Sequence, residues 1–121
     1  MTNENSAKTY DLEERTAKFG EDIIRFARKI PKDPVTIPLI GQLVRSGTSV
    51  GANYCEADDA ESKKDFIHKL GVSRKEAKET MHWFCMIAKA APKCSNESRL
   101  LWKEAQELVF IFSSIIKKSR E

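Results

Sequence analysis

With 121 residues, 40% of them apolar, the chain has enough material for one hydrophobic core and none for a second domain. Charged residues make up 32% of it, yet the formal net charge is only +3, so a preference for nucleic acid has to come from the arrangement of charge and not from its total. No uninterrupted apolar run approaches the roughly 18 residues of a spanning helix, and the polar start MTNENSAKTY lacks the apolar stretch of a secretory signal; a cytoplasmic protein without a membrane partner is expected.

Residues 1–9 are expected to form a disordered tail ahead of a single domain over residues 10–119. The first element is a helix over 11–30, with Leu12, Thr16, Phe19, Ile23, Phe26, Ala27 and Ile30 on one face and Asp11 and Glu14 spaced for a capping box. Pro31, Pro34 and Pro38 confine the first break, after which Thr36 is the expected N-cap of a helix over 37–58. Its stripe is Leu39, Leu43, Ser46, Val50, Tyr54 and Ala57. The acidic run Asp58-Asp59-Ala60-Glu61 leads to a third helix over 62–91, with Ser62 and Asp65 as a second capping box and a stripe through Phe66, Leu70, Ser73, Ala77, Met81, Phe84 and Ala88. Ser95 or Asn96 would cap the fourth, over 96–118, whose stripe is Leu101, Ala105, Leu108, Phe112 and Ile115. Steps of three and four residues place each set on one helix face. Four such segments joined by short breaks predict an all-α fold, an up-down-up-down antiparallel four-helix bundle.

The second helix contains the least ordinary stretch, Arg45-Ser46-Gly47-Thr48-Ser49-Val50-Gly51-Ala52-Asn53-Tyr54. Two glycines and three hydroxyl residues give it poor helix propensity, so packing must hold it. Gly47 and Gly51 fall on one side with Ile40 and Val44, where a neighbouring backbone could approach closely. Arg45, Ser49 and Glu56 fall on another side, with Asn53 at its edge; the stretch reads either as a thin helix buried between neighbours, with Asn53 and Glu56 satisfied by hydrogen bonds, or as a polar ligand or partner site along Arg45, Ser49, Asn53 and Glu56.

On the third helix Lys64, His68, Gly71, Lys75, Lys78, His82 and Lys89 lie within about 40° of one line, opposite the apolar stripe. Such a basic ridge could follow a phosphate backbone, and acidification would add charge to it through both histidines. The bland alternative is a solvated face, and Trp83 is rotated away from the line.

Enzyme readings are weaker. His82 and Cys85 stand three apart but lack a second ligand pair for zinc. The carboxylates Glu56, Asp58, Asp59 and Glu61 could hold a hard cation such as magnesium, and a metal-dependent enzyme around Glu56 and Asp59 is the rival to a binding protein. Caps and a solvated turn explain those acids more simply. The three cysteines, Cys55, Cys85 and Cys94, are odd in number and show no CxxC spacing, which suits a reducing compartment. Cys55 and Cys85 read as small, mostly buried thiols. No cofactor is expected.

The run RSGTSVGANYCEADDAESKKDFIHKL, followed by KEAKETMHWF, resembles the bacterial four helix bundle protein family. That family is also called ribosomal-protein-like, because members are encoded in intervening sequences of large-subunit rRNA genes. The resemblance runs from about Tyr10 to Lys118, and residues 49–56 and 62–66 are its most specific parts. It implies an up-down-up-down bundle that assembles into a ring-like homopentamer, with no established enzymatic activity. A related branch, the accessory proteins of diversity-generating retroelements, binds nucleic acid and a reverse transcriptase; the resemblance thus implies RNA, DNA or a nucleic-acid enzyme as partner. Many relatives have Gly where this chain has Ala57. From the residues themselves, Phe110, about 180° from the fourth stripe, and the strip Ile40, Val44, Gly47 and Gly51 are the expected surfaces of a closed homo-oligomer.

Overall fold

The computed structural model describes residues 4–121, with side chains from Leu12 onward. Among these residues the regular elements are helices: α1 (Glu4–Lys29), α2 (Thr36–Asp58), α3 (Lys63–Ala90) and, after a single 3-10 turn (Pro92–Cys94), α4 (Ser95–Arg120). Each helix packs on the next and α4 returns beside α1, which closes the expected antiparallel four-helix bundle. Of the expected tail, residues 1–3 lie outside the described residues, and α1 already begins at Glu4. Asp11 therefore sits inside α1, and its side chain too lies outside those described.

The breaks are built by side chains that satisfy free backbone groups. In the proline-rich break Asp33 does the capping: its Oδ1 accepts from the N–H groups of Val35 and Thr36 at 2.8 and 2.9 Å. Thr36, the expected cap, is instead buried as the first residue of α2, where its hydroxyl donates to Pro31 O at 2.6 Å and accepts from Asp33 N at 3.0 Å. Ser62 caps α3 as expected, accepting from Asp65 N at 3.0 Å. Neither Ser95 nor Asn96 caps α4, because the 3-10 turn feeds its first turn directly.

The core follows the four stripes. All seven residues of the first are buried, and Phe19, Phe26, Phe84 and Phe112 are among the largest side chains fully withdrawn from water. Phe84 stands between Phe19 and Phe26 of α1, at ring-centroid distances of 6.4 and 6.2 Å, so one aromatic residue ties α3 across the bundle to α1. Late in the third and fourth stripes the register drifts. Ile87 is fully buried where Ala88 is half-buried, and Ile116 is buried in preference to Ile115.

The seams between helices differ in chemistry. Between α2 and α3 small hydroxyls replace bulk: Thr80 donates to Ser46 Oγ at 2.9 Å, and Ser73 donates to the carbonyl of Val50. No buried side-chain polar atom among the described residues lacks a partner, so this polar seam carries no unmet desolvation cost. Between α1 and α2 the glycines set the distance. A Cβ at Gly47 would collide with Ile23, and one at Gly51 would press on the Thr16 carbonyl oxygen at 3.3 Å. Between α1 and α4 ion pairs bridge the surface: Arg15 grips Glu104 with two hydrogen bonds of 2.7 and 2.8 Å, and Lys29 meets Glu97 at 3.0 Å.

Candidate nucleic-acid interface

The candidate interface starts from the composition of α3, which carries seven Lys and Arg side chains against three carboxylates. The apolar stripe turns Leu70, Ser73, Ala77, Phe84 and Ile87 inward, and the opposite positions are thereby forced outward. Lys64, His68, Lys75, Lys78, His82 and Lys89 are all exposed, as expected. At the rise of an α-helix the line from Lys64 to Lys89 is about 38 Å long. Among the described residues none of its four lysines forms an ion pair. His82 rests edge-on against Trp83, with ring centroids 4.8 Å apart.

The carboxylates beside the ridge are engaged elsewhere. Arg45 of α2 reaches across to Glu76 at 3.4 Å and to Glu79 at closer range. The indole N–H of Trp83 also donates to Glu79, at 2.9 Å. That hydrogen bond, with Arg45 and a smaller contribution from Lys75, holds the Glu79 carboxyl below its ordinary range against the opposing effect of burial. The hydrogen bond to Glu79 likewise raises the Arg45 guanidinium, so the two charges stabilise one another. Arg45 thus discharges the acidic flank of the ridge, a role invisible from either helix alone.

The remaining polar residues of α2 satisfy one another. Ser49 donates to Arg45 O at 2.7 Å, Asn53 donates to Ser49 O at 2.9 Å, and Glu56 accepts from Lys69 Nζ at 2.6 Å. Arg45, Ser49, Asn53 and Glu56 are thus each engaged in hydrogen bonds along α2 or towards α3. The expected rival centre around Glu56 and Asp59 lines an open hollow of about 710 Å³ with Glu61 and Asp65, and Lys69 is paired with Glu56. Among the described residues no three His, Cys, Asp or Glu side chains are grouped to hold a metal ion.

Two expectations are corrected. Cys55 and Cys85 are exposed and not buried, because each lies at the edge of its helix and outside the stripe. Gly47 is buried and Gly51 half-buried against α1 of the same chain, while the half-buried Ile40 and Val44 pack on the core; the small-residue strip is used within the bundle. Phe110 does stand free, 60% exposed, with Leu100 also exposed on α4.

A feature missed in the sequence lies beside the ridge. Where α3 and α4 meet, a groove of about 410 Å³ opens over Phe84 and Ala88, with the Trp102 indole in its wall and Arg99 and Lys103 at its rim. No carboxylate lines it. Trp102 comes from α4, so only the packing of the two helices brings an aromatic ring next to the basic line.

These features define a class: an all-α bundle with one helix-long basic face, and no helix long and apolar enough to cross a membrane among the described residues. Residues 8–114 match the family model of the 23S rRNA-intervening sequence protein, and the chain belongs to that family. It is also similar to a crystal structure of a protein of unknown function from the S23 ribosomal protein family of Bacteroides thetaiotaomicron. The identity is 30%, the match covers 87% of this chain and 97% of that one, and the TM-score is 0.79. No curated protein matches the chain.

Proposed function

We propose that the protein is a non-enzymatic, self-assembling binding protein that holds nucleic acid along the outer face of α3. One observation carries this reading: Lys64, Lys75, Lys78 and Lys89 stay exposed in a line and, among the described residues, outside any ion pair, while Arg45 binds the neighbouring acids Glu76 and Glu79. Unpaired cations repel one another, and a polyanion is the partner that relieves that repulsion by releasing its counterions. The family's link to rRNA intervening sequences agrees with an RNA or DNA partner, or with an enzyme acting on either, in the cytoplasm.

Four phosphate contacts per subunit give weak binding, which repetition around an oligomer multiplies through effective concentration. Exposed Phe110 supports self-association, and the family resemblance supports a homopentamer. Fluorescence anisotropy with mixed-sequence RNA and DNA, at two salt concentrations, tests the reading. Binding should weaken with salt at a log-log slope of about four per engaged subunit, and Lys75→Glu/Lys78→Glu should remove about half of that slope. Absence of binding at low salt, or equal binding by the double variant, would reduce the ridge to a solvated face. Light scattering that finds a monomer at micromolar concentration would remove the assembly.

A further inference from the structure

We infer that the groove between α3 and α4 is a base-stacking site for single-stranded nucleic acid, with Trp102 as the platform. This deepens the proposed function and rests on the basic ridge as the path of the phosphates. Cys85 and Ala88 form the α3 side of the groove, one helix edge away from Lys78, His82 and Lys89. From the α4 side come Trp102 and the cations Arg99 and Lys103. Neither of these cations is engaged in an ion pair among the described residues.

A phosphate chain lying along α3 would be flanked by cations on both sides and would have an apolar slot beside it. That combination of a cationic track with an aromatic face is what strands with free bases use, since every base has a π-face to stack. Two details narrow the occupant. The absence of a carboxylate from the lining favours a polyanion over a basic or neutral peptide. The hydroxyl of Ser98, the most buried polar group of the lining, is spent on the Phe84 carbonyl at 2.7 Å, which leaves the floor without a fixed donor to read a base edge. Stacking without edge reading predicts tolerance of sequence. It also predicts preference for single strands, because duplex bases are already stacked and cannot enter a slot.

The test uses Trp102 as its own probe. The chain has two tryptophans, so Trp83→Phe leaves Trp102 as the only indole. Titration with oligothymidylate should quench its emission and saturate in step with anisotropy, whereas the same strand hybridised to its complement should not quench it. Trp102→Leu should weaken single-strand binding by about 5- to 100-fold, the loss expected for one stacked base, and leave duplex binding unchanged. If Trp102→Leu does not fold, Arg99→Glu/Lys103→Glu, which touches only the rim, should weaken the single strand more than the duplex. A strand that binds without changing Trp102 emission, or equal quenching by the duplex, overturns the stacking site and leaves the ridge reading intact. No binding of either form removes both. A fall in the mass of the strand-free oligomer on Trp102→Leu would identify the groove as a contact between copies and overturn the site.

Discussion

The outer faces of α1 and α3 are both rich in charge, but they use it in opposite ways. Among the described side chains of α1 every cation except Arg28 meets a carboxylate: Arg15 with Glu104 and Glu107, Lys18 and Arg25 with Asp22, Lys29 with Glu97. Burial alone would raise the Asp22 carboxyl, yet the hydrogen bonds and charges of Lys18 and Arg25 outweigh it and hold the group low. On α3 the ridge lysines form no ion pair among the described residues, and the nearest acids, though Lys75 acts on Glu79 at longer range, are bound by Arg45. Paired charges close the seam between α1 and α4, whereas unpaired ones hold a field outward. Net charge by itself conceals this difference.

Reversing two charges on each face would break the comparison most directly. Lys75→Glu/Lys78→Glu and Lys18→Glu/Lys29→Glu each lower the formal net charge by two units per substitution, from +3 to −1. The α3 pair should weaken polyanion binding on the order of 100-fold at about 50 mM salt, with the denaturation midpoint nearly unchanged. The α1 pair places like charges at Asp22 and Glu97, so it should cost about 1 kcal/mol of stability and affect binding far less. Equal losses of binding would mean that total charge governs and arrangement does not.

Two arginines sharpen the contrast. Arg15→Ala removes a two-pronged, partly buried pair and should cost about 1 kcal/mol in chemical denaturation while leaving binding intact. Arg45→Gln should do the reverse, releasing Glu76 and Glu79 beside the ridge and weakening binding several-fold. Glu79→Gln should strengthen binding, since it removes one of those acids. If Arg45→Gln and Glu79→Gln shift anisotropy in the same direction, the discharge of the flank is not what sustains the ridge.

Acid titration reaches carboxylates on both faces. Asp22 and Glu79 titrate below their ordinary ranges in the folded protein, the latter chiefly through the Trp83 indole. Their stabilisation is therefore complete above the carboxyl range of an unfolded chain, about pH 4, and is lost as pH falls through the lower folded values. The denaturation midpoint should decline below about pH 4, and Asp22→Asn should flatten part of that decline. An unchanged acid limb in Asp22→Asn would show that its two cations contribute nothing to stability.

What could be read from the chain in advance was whatever depends on one helix at a time. The stripes through Phe19, Phe26, Leu70 and Phe112 follow from 3.6-residue geometry and are largely buried, with slips at their ends, and the side chains from Lys64 to Lys89 lie exposed along one line by the same geometry. Across the 28 residues of α3 a repeat of seven slips against that geometry, which is why Ile87 displaces Ala88. Features made by two helices were hidden. The reach of Arg45 to Glu79, the turn of Gly47 and Gly51 towards α1, and the position of Trp102 beside the ridge all depend on how neighbouring helices are rotated. Asp33 took the cap from Thr36 for a local reason, since its carboxylate reaches two N–H groups while the Thr36 hydroxyl is drawn back to Pro31.

The smallest expected effect concerns one missing methyl group. Gly71 lies on the ridge between His68 and Lys75, and a Cβ added there would meet nothing within 4 Å. The same is true of Gly41 on α2, away from the ridge. Neither residue has a positive φ, so nothing in the fold demands glycine at either place. Alanine should then stabilise each helix by about 0.5–1 kcal/mol, through lower backbone entropy in the unfolded chain, and both midpoints should rise alike. Binding should distinguish them. At Gly71 the gap would let a bound phosphate chain lie close to the helix between two basic side chains, and a methyl group there would lift it, weakening binding up to a few-fold; Gly41→Ala should leave binding unchanged. A stabilised Gly71→Ala that binds as tightly as the parent would place the phosphates on the lysine tips, away from the helix surface.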